Sequence, residues 1–131
     1  MVFVYFNLHK KLFSVKALHG LNKGRVIAHM DNIFLSDVSF KVSEAGRQRV
    51  LREKRKNVHA GVVGNWECEF LENMEGGVDI TYNPYKFDSF VRADNHEPVR
   101  TARAVCLTTG RGRLNGKRRI VAFGINENKG V

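Results

Sequence analysis

The opening of the chain alternates. Val2, Val4, Phe6 and Leu8 fall on one side of an extended backbone and Phe3, Tyr5 and Asn7 on the other, and after His9-Lys10 a second run sets Phe13, Val15 and Ala17 opposite Ser14 and Lys16. A period of two on both sides of a polar pair predicts an antiparallel hairpin. Gly20 to Gly24 interrupts the pattern, Arg25 to Met30 resumes it, and Val38, Phe40 and Val42 alternate with Ser39 and Lys41, which predicts two further strands. Ser43 is the natural N-cap of a helix running to about Asn57, although Gly46 stands where a capping box has Glu or Gln. Val58 to Val63 and Trp66 to Phe70 read as strands joined by a turn at Gly64-Asn65, and Glu75-Gly76-Gly77 marks a turn before Val78 to Tyr82. Ala102 to Thr108 and Arg118 to Ile125 are the last extended segments, and Asn115-Gly116 between them is the strongest two-residue hairpin signal.

These elements predict an α+β fold, mostly antiparallel β, built as a curved sheet or small barrel with one basic surface helix. The 131 residues contain no repeat, low-complexity tract or linker, so one domain over residues 1–131 is expected. The longest apolar run, Val2 to Phe6, is far short of the roughly 20 residues of a membrane span and has no basic leader. A soluble cytoplasmic protein with no membrane partner is the expectation. Cys68 and Cys106 lack the spacing of a disulfide framework or a cysteine zinc site, which fits a reducing compartment.

Charge changes the picture more than composition does. The chain has 22 Lys and Arg against 13 Asp and Glu, a formal +9, and the excess is unevenly placed. Residues 1–25 carry Lys10, Lys11, Lys16, Lys23 and Arg25 with no acid, which is +5. Residues 43–60 carry Arg47, Arg49, Arg52, Lys54, Arg55 and Lys56 against Glu44 and Glu53, which is +4. Residues 99–119 carry Arg100, Arg103, Arg111, Arg113, Lys117, Arg118 and Arg119 with no acid, which is +7. Residues 65–97 run the other way, with eight acids against Lys86 and Arg92, which is −6. Each block alone is compatible with an ordinary solvated surface. Three blocks of one sign point to a polyanionic partner.

Two of those blocks have further character. At 100° per residue the cations from Arg47 to Lys56 fall almost all round the helix, leaving Val50 and Leu51 as its apolar stripe, so hydrophobic docking alone would hold it weakly. The functional reading is a helix on a phosphate backbone, with Arg47, Arg49, Arg52 and Arg55 forking onto phosphate or guanine and Lys54 and Lys56 adding charge. Thr108 to Arg119 mixes Gly110, Gly112 and Gly116 with Arg111, Arg113, Lys117, Arg118 and Arg119, the composition of a projecting basic arm. If Asn115-Gly116 is a two-residue turn, Arg113 faces Arg118, a like-charge pair that an acidic partner would relieve. Between the blocks, Tyr82, Tyr85, Phe87 and Phe90 lie close together. Phe87 and Phe90 suit the core, and Tyr82 and Tyr85 are the expected exposed pair for stacking unpaired bases.

Signals for catalysis are sparse. His9, His19, His29, His59 and His96 form no metal-binding pair, and no phosphate-binding glycine loop or nucleophile elbow is present, so neither metal nor cofactor is expected. His59 beside the basic helix, with Glu67 or Glu69 on the next strand, would suit a metal-independent ribonuclease using one group as acid and the other as base. A structural histidine is the simpler reading, and the chain is taken as a non-enzyme.

Over Glu44-Ala45-Gly46-Arg47-Gln48-Arg49-Val50-Leu51-Arg52-Glu53-Lys54-Arg55-Lys56-Asn57-Val58-His59-Ala60 the sequence resembles small basic proteins encoded by bacteriophages and mobile elements. No catalytic residue comes with that resemblance. It implies a context in which small proteins redirect host machinery, including nucleic-acid-guided defence. Two functions follow. The first is a nucleic-acid-binding regulator, with RNA favoured over duplex DNA because no pair of DNA-reading helices is evident. The second is an anti-defence inhibitor of the anti-CRISPR kind, which contacts a host protein or ribonucleoprotein complex through its charged surfaces.

Overall fold

A computed structural model describes residues 1–67, 69, 75–111 and 116–126. They form nine strands and one helix: β1 (Val2–Asn7), β2 (Leu12–Ala17), β3 (Val26–Met30), β4 (Asn32–Val42), α1 (Glu44–Glu53), β5 (Ala60–Trp66), β6 (Val78–Thr81), β7 (Val91–Arg92), β8 (Thr101–Thr108) and β9 (Arg119–Phe123). All pairings are antiparallel, in the order β3-β2-β1-β5-β4-β8-β9-β6-β7. The fold is the α+β, mainly β architecture that the alternation implies.

The hydrogen bonding is open, because β3 and β7 are the two ends of the order. A sheet without a second layer buries one face by curling on itself, and the connectivity shows how far the curl goes. In a flat sheet β3 and β4, four places apart, would be separated by about 19 Å. Only Asp31 lies between their ends, a link that spans at most about 7 Å. The curl is therefore nearly a closed barrel. Inside it, Val2 faces Ala17, Val4 faces Val15 and Val62, Leu35 faces Val105, and Ile33 faces Leu107. Val4, Val15, Leu35 and Val105 have no exposed surface.

The long strand β4 bends through this curl at a bulge. Its register against β5 shifts by one between Ser36 and Ser39, and Asp37 between them adopts a left-handed φ of 49°. The extra residue switches parity, so Ile33 and Leu35 face the core before the bulge and Val38 and Phe40 after it. Period-two reading finds only the second half, because the alternation breaks at Asp37.

Two expected boundaries differ clearly from those observed. Gly64-Asn65 is not a turn, and β5 runs through it to Trp66. A Cβ on Gly64 would lie 2.9 Å from the Ser36 carbonyl oxygen and 3.1 Å from Leu35 Cβ, so the glycine serves close strand approach rather than reversal. The expected strand from Trp66 to Phe70 includes positions outside the described residues. The helix ends at Glu53 rather than near Asn57, because Lys54 takes a left-handed φ of 55° and its N–H closes on the Val50 carbonyl at 2.8 Å. Its start is as expected, with the Ser43 hydroxyl accepting from Gly46 N–H at 3.1 Å. Gly46 is needed for another reason: a Cβ there would meet His59 Cβ at 2.6 Å.

Candidate nucleic-acid interface

The curl decides which cations meet. Asn7 closes the β1–β2 turn, its Oδ1 accepting from the N–H of His9 and of Lys10, each at 3.0 Å, while Lys11 N–H donates to the Asn7 carbonyl. That lock sets Lys11, at a φ of 56°, on the rim of the sheet. The chain beyond β8 is anchored beside it. Thr109 donates through N–H and hydroxyl to the Asp31 carbonyl and carboxylate at 2.8 and 2.6 Å, and Arg111 Nε lies 3.6 Å from the same carboxylate. A Cβ on Gly110 would fall 2.5 Å from the Lys117 carbonyl oxygen, so the two limbs of the basic arm touch at its base. From the returning limb Arg118 crosses to β1, its guanidinium carbon 4.0 Å from the centre of the Phe6 ring. Phe6 itself packs edge-on against Phe13 at 5.4 Å between centroids.

Phe6, Leu8, Lys11, Thr109, Arg111 and Arg118 line a cleft of about 330 Å³. It joins cations of the first basic block to those of the last, about a hundred residues away along the chain. Burial lowers the pKa of Arg118, but a guanidinium stays charged at any ordinary pH. Arg119 points elsewhere: it forks onto Asp79, with Nε at 2.9 Å and the terminal nitrogen at 3.3 Å, and that carboxylate raises its pKa. Lys117 is exposed. Arg113 and the Asn115 half of the expected turn lie outside the described residues.

The basic helix divides into two groups. Arg47 turns inward, with only 16% of its side chain exposed, and its Nε–H is shared between the Pro84 and Phe87 carbonyls at 3.0 and 2.9 Å. A terminal nitrogen bonds Glu44 at 3.0 Å. The Gln48 amide and then the Arg47 charge hold Glu44 below the usual carboxylate pKa. Arg47 is thus occupied as a clamp on the turn after β6. Arg49 and Arg52 on the helix, and Lys54, Arg55 and Lys56 beyond its end, are exposed and make no ion pair among the described residues.

Of the two tyrosines, Tyr85 is 59% exposed, as a stacking residue should be. Tyr82 is not an exposed partner to it. Its hydroxyl donates to His59 Nε2 at 2.7 Å, and its ring packs on Phe90 at 5.1 Å between centroids, which in turn meets Phe40. His59 Nδ1 lies 3.1 Å from the Asn57 carbonyl and donates to it, which leaves Nε2 free to accept. Desolvation, more than the nearby Glu44 and Asp88, pushes the Tyr82 pKa up from 10.0 to about 12. The fold therefore favours the neutral phenol. Its contribution is complete below pH 10 and lost as pH rises from 10 towards 12. Melting temperatures across that range are expected to fall more steeply for the native chain than for Tyr82→Phe, and parallel curves would refute the assignment.

His59 and Glu67 stand at opposite ends of β5, on the order of 25 Å apart at strand rise. Glu67 accepts a hydrogen bond from Ser36. The acid–base pair expected of a ribonuclease is not brought together. Among the described residues no group of three or more His, Cys, Asp or Glu side chains is placed to hold a metal ion, and no helix is long and apolar enough to cross a membrane.

Phe6, Leu8, Lys11 and Thr109 line the cleft although period and motif mark them only as strand, turn or arm positions and not as site residues. The one available signal was the acid-free run of residues 1–25, which said that Lys11 belonged to a basic surface but not what it faced.

Residues 1–115 match the family model of the Mycobacterium phage L5 gene 82 protein. The chain belongs to this family. The gene 82 protein of Mycobacterium phage L5 is 42% identical over 113 residues, which cover 82% of this chain and 89% of the relative. The phage context suggested by residues 44–60 thus extends over most of the chain, including the β1–β2 hairpin and the first limb of the arm. No solved structure matches the chain.

Proposed function

We propose that this phage protein binds nucleic acid, single-stranded RNA in preference to duplex DNA. The observation that carries the reading is the meeting of Lys11, Arg111 and Arg118 around one cleft, although they come from basic blocks at the two ends of the sequence. The exposed cluster of Arg49, Arg52, Lys54, Arg55 and Lys56 offers a second contact for the same polyanion. RNA is favoured because the described helix is ten residues long and pinned to the 83–87 turn by Arg47, a poor fit to a reader of the DNA major groove.

Fluorescence anisotropy with labelled single-stranded RNA and duplex DNA of equal length, titrated across a salt series, tests this. The RNA is expected to bind more tightly, with log affinity falling linearly with log salt. Lys11→Glu with Arg111→Glu is expected to weaken RNA binding at least tenfold and flatten the salt slope by about 1.4, since each phosphate contact on a single strand contributes about 0.7. Arg52→Glu with Arg55→Glu probes the helix cluster in the same way. Failure of single strands to bind at moderate salt, or binding unmoved by both double variants, would rule the reading out.

One observation favours the rival, a protein-interaction inhibitor of host defence. β3 is an end strand with Val26 and Ile27 40% and 43% exposed, and an apolar open edge suits the addition of a strand from a partner. Capture of a host protein that is lost on Ile27→Lys, with no nucleic acid copurifying, would favour that function instead.

A further inference from the structure

We infer that the cleft between the β1–β2 turn and the basic arm is a pocket for one unpaired nucleotide, with its base against the Arg118–Leu8 wall and its phosphate between Lys11 and Arg111. The inference rests on the nucleic-acid reading and specifies what this site takes.

The lining is of two kinds, and a nucleotide has the same two parts. Phe6 and Leu8 supply the apolar part of the lining, and Leu8, 51% exposed, leaves apolar surface open to solvent. Inorganic phosphate or a bare backbone would leave that surface uncovered. At about 330 Å³ the cleft lies at the small end of the range of small-molecule sites, room for one nucleotide rather than a helical segment.

Arg118 supplies the stacking surface. Its guanidinium carbon sits 4.0 Å from the Phe6 ring centre, which satisfies one side of the cation and restricts its motion, and the side chain as a whole remains exposed. A guanidinium restrained in this way is a planar shelf, and nucleobases stack on such planes wherever they are splayed out of a strand. A duplex hides both faces of each base, so this site selects single strands.

The phosphate end is set by Lys11 and Arg111. Among the described residues, Asp31 is the carboxylate that meets this end of the cleft. It binds the Thr109 hydroxyl and lies 3.6 Å from Arg111, which orients that arginine and offsets part of its charge. Lys11 and Arg118 remain uncompensated by any ion pair among the described residues, so the site keeps net attraction for a phosphate.

The test measures binding of AMP, UMP, adenosine and inorganic phosphate to the full-length protein by NMR shift changes, alongside a labelled eight-residue single-stranded RNA. Either mononucleotide is expected to bind at least tenfold more tightly than adenosine or phosphate alone. Arg118→Lys, which keeps the charge and removes the plane, is expected to lower mononucleotide affinity about tenfold. Leu8→Ser, at an exposed position outside the core, is expected to lower it several-fold with the melting temperature retained. Equal binding of AMP and phosphate, or full affinity in both variants, overturns the pocket. If that happens while the RNA still binds, the nucleic-acid reading stands without it. If mononucleotides bind as expected and RNA does not, the pocket stands and the RNA reading falls.

Discussion

Valine in place of Gly61 is expected to destabilise the fold by about 3 kcal/mol, near the upper end of what overpacking costs, and to lower the melting temperature by roughly 10 °C. Gly61 lies in β5, paired with Lys41 of β4 and next to Val62, which faces Val4 of β1. A Cβ at this position would sit 2.5 Å from the Val4 carbonyl oxygen and 2.5 Å from Phe3 Cζ. The ring can swing aside, but the carbonyl belongs to a strand held by ladders on both sides. Relief therefore means parting β1 from β5. Gly20→Ala is the control: its φ of 82° strains any side chain but nothing lies within 4 Å, so about 1 kcal/mol is expected. Thermal melts followed by circular dichroism would separate the two, and equal losses would contradict the β1–β5 register.

The parts of the fold that were legible in the sequence are those where one local rule acts alone. The β1–β2 hairpin alternates without interruption, and its register sets Val2 on Ala17, Val4 on Val15 and Phe6 on Phe13, as the pattern requires. Where two rules compete, the local one loses. Gly64-Asn65 carries a turn signal, yet the segment stays in a strand, paired so closely with β4 that a Cβ on Gly64 would lie 2.9 Å from the Ser36 carbonyl oxygen. Asp37 hides the first half of β4, because a bulge is visible only against its partner strand. Lys54 has no helix-ending signature, since lysine rarely takes the left-handed conformation that it adopts there.

The site was less legible than the fold for a related reason. Charge blocks can be counted along a chain, but their meeting depends on curvature. The link through Asp31 draws β3 and β4 together and carries the β1–β2 turn to the base of the arm, and no periodicity records a curl. Pairing is equally invisible. Arg118 and Arg119 are adjacent and chemically identical, yet β9 sends them to opposite sides, one to the Phe6 ring and the other to Asp79. Tyr82 and Tyr85, three residues apart, part in the same way because His59 binds only the first.

Arg47 carries the second large effect, and it separates the two roles mixed in the basic helix. Its side chain is the least exposed of the helix cations, and its Nε–H is the donor to two partly buried carbonyls, Pro84 and Phe87, that hold the turn after β6 against α1. Arg47→Ala removes that donor, leaves both oxygens short of a partner and releases Glu44, so a loss of about 2–3 kcal/mol is expected in urea unfolding. Arg47→Lys should recover little, because an ammonium at the end of a flexible stem cannot present the Nε–H from the same place. Arg49→Ala and Arg52→Ala, both at solvated positions, are expected to stay within about 0.5 kcal/mol of the native chain. Binding should show the inverse order. Refolded Arg47→Ala is expected to retain most of its affinity for single-stranded RNA at low temperature, while Arg52→Glu with Arg55→Glu loses affinity at unchanged stability. A native-like urea midpoint for Arg47→Ala, together with lost RNA binding, would make Arg47 a phosphate contact after all and displace the clamp.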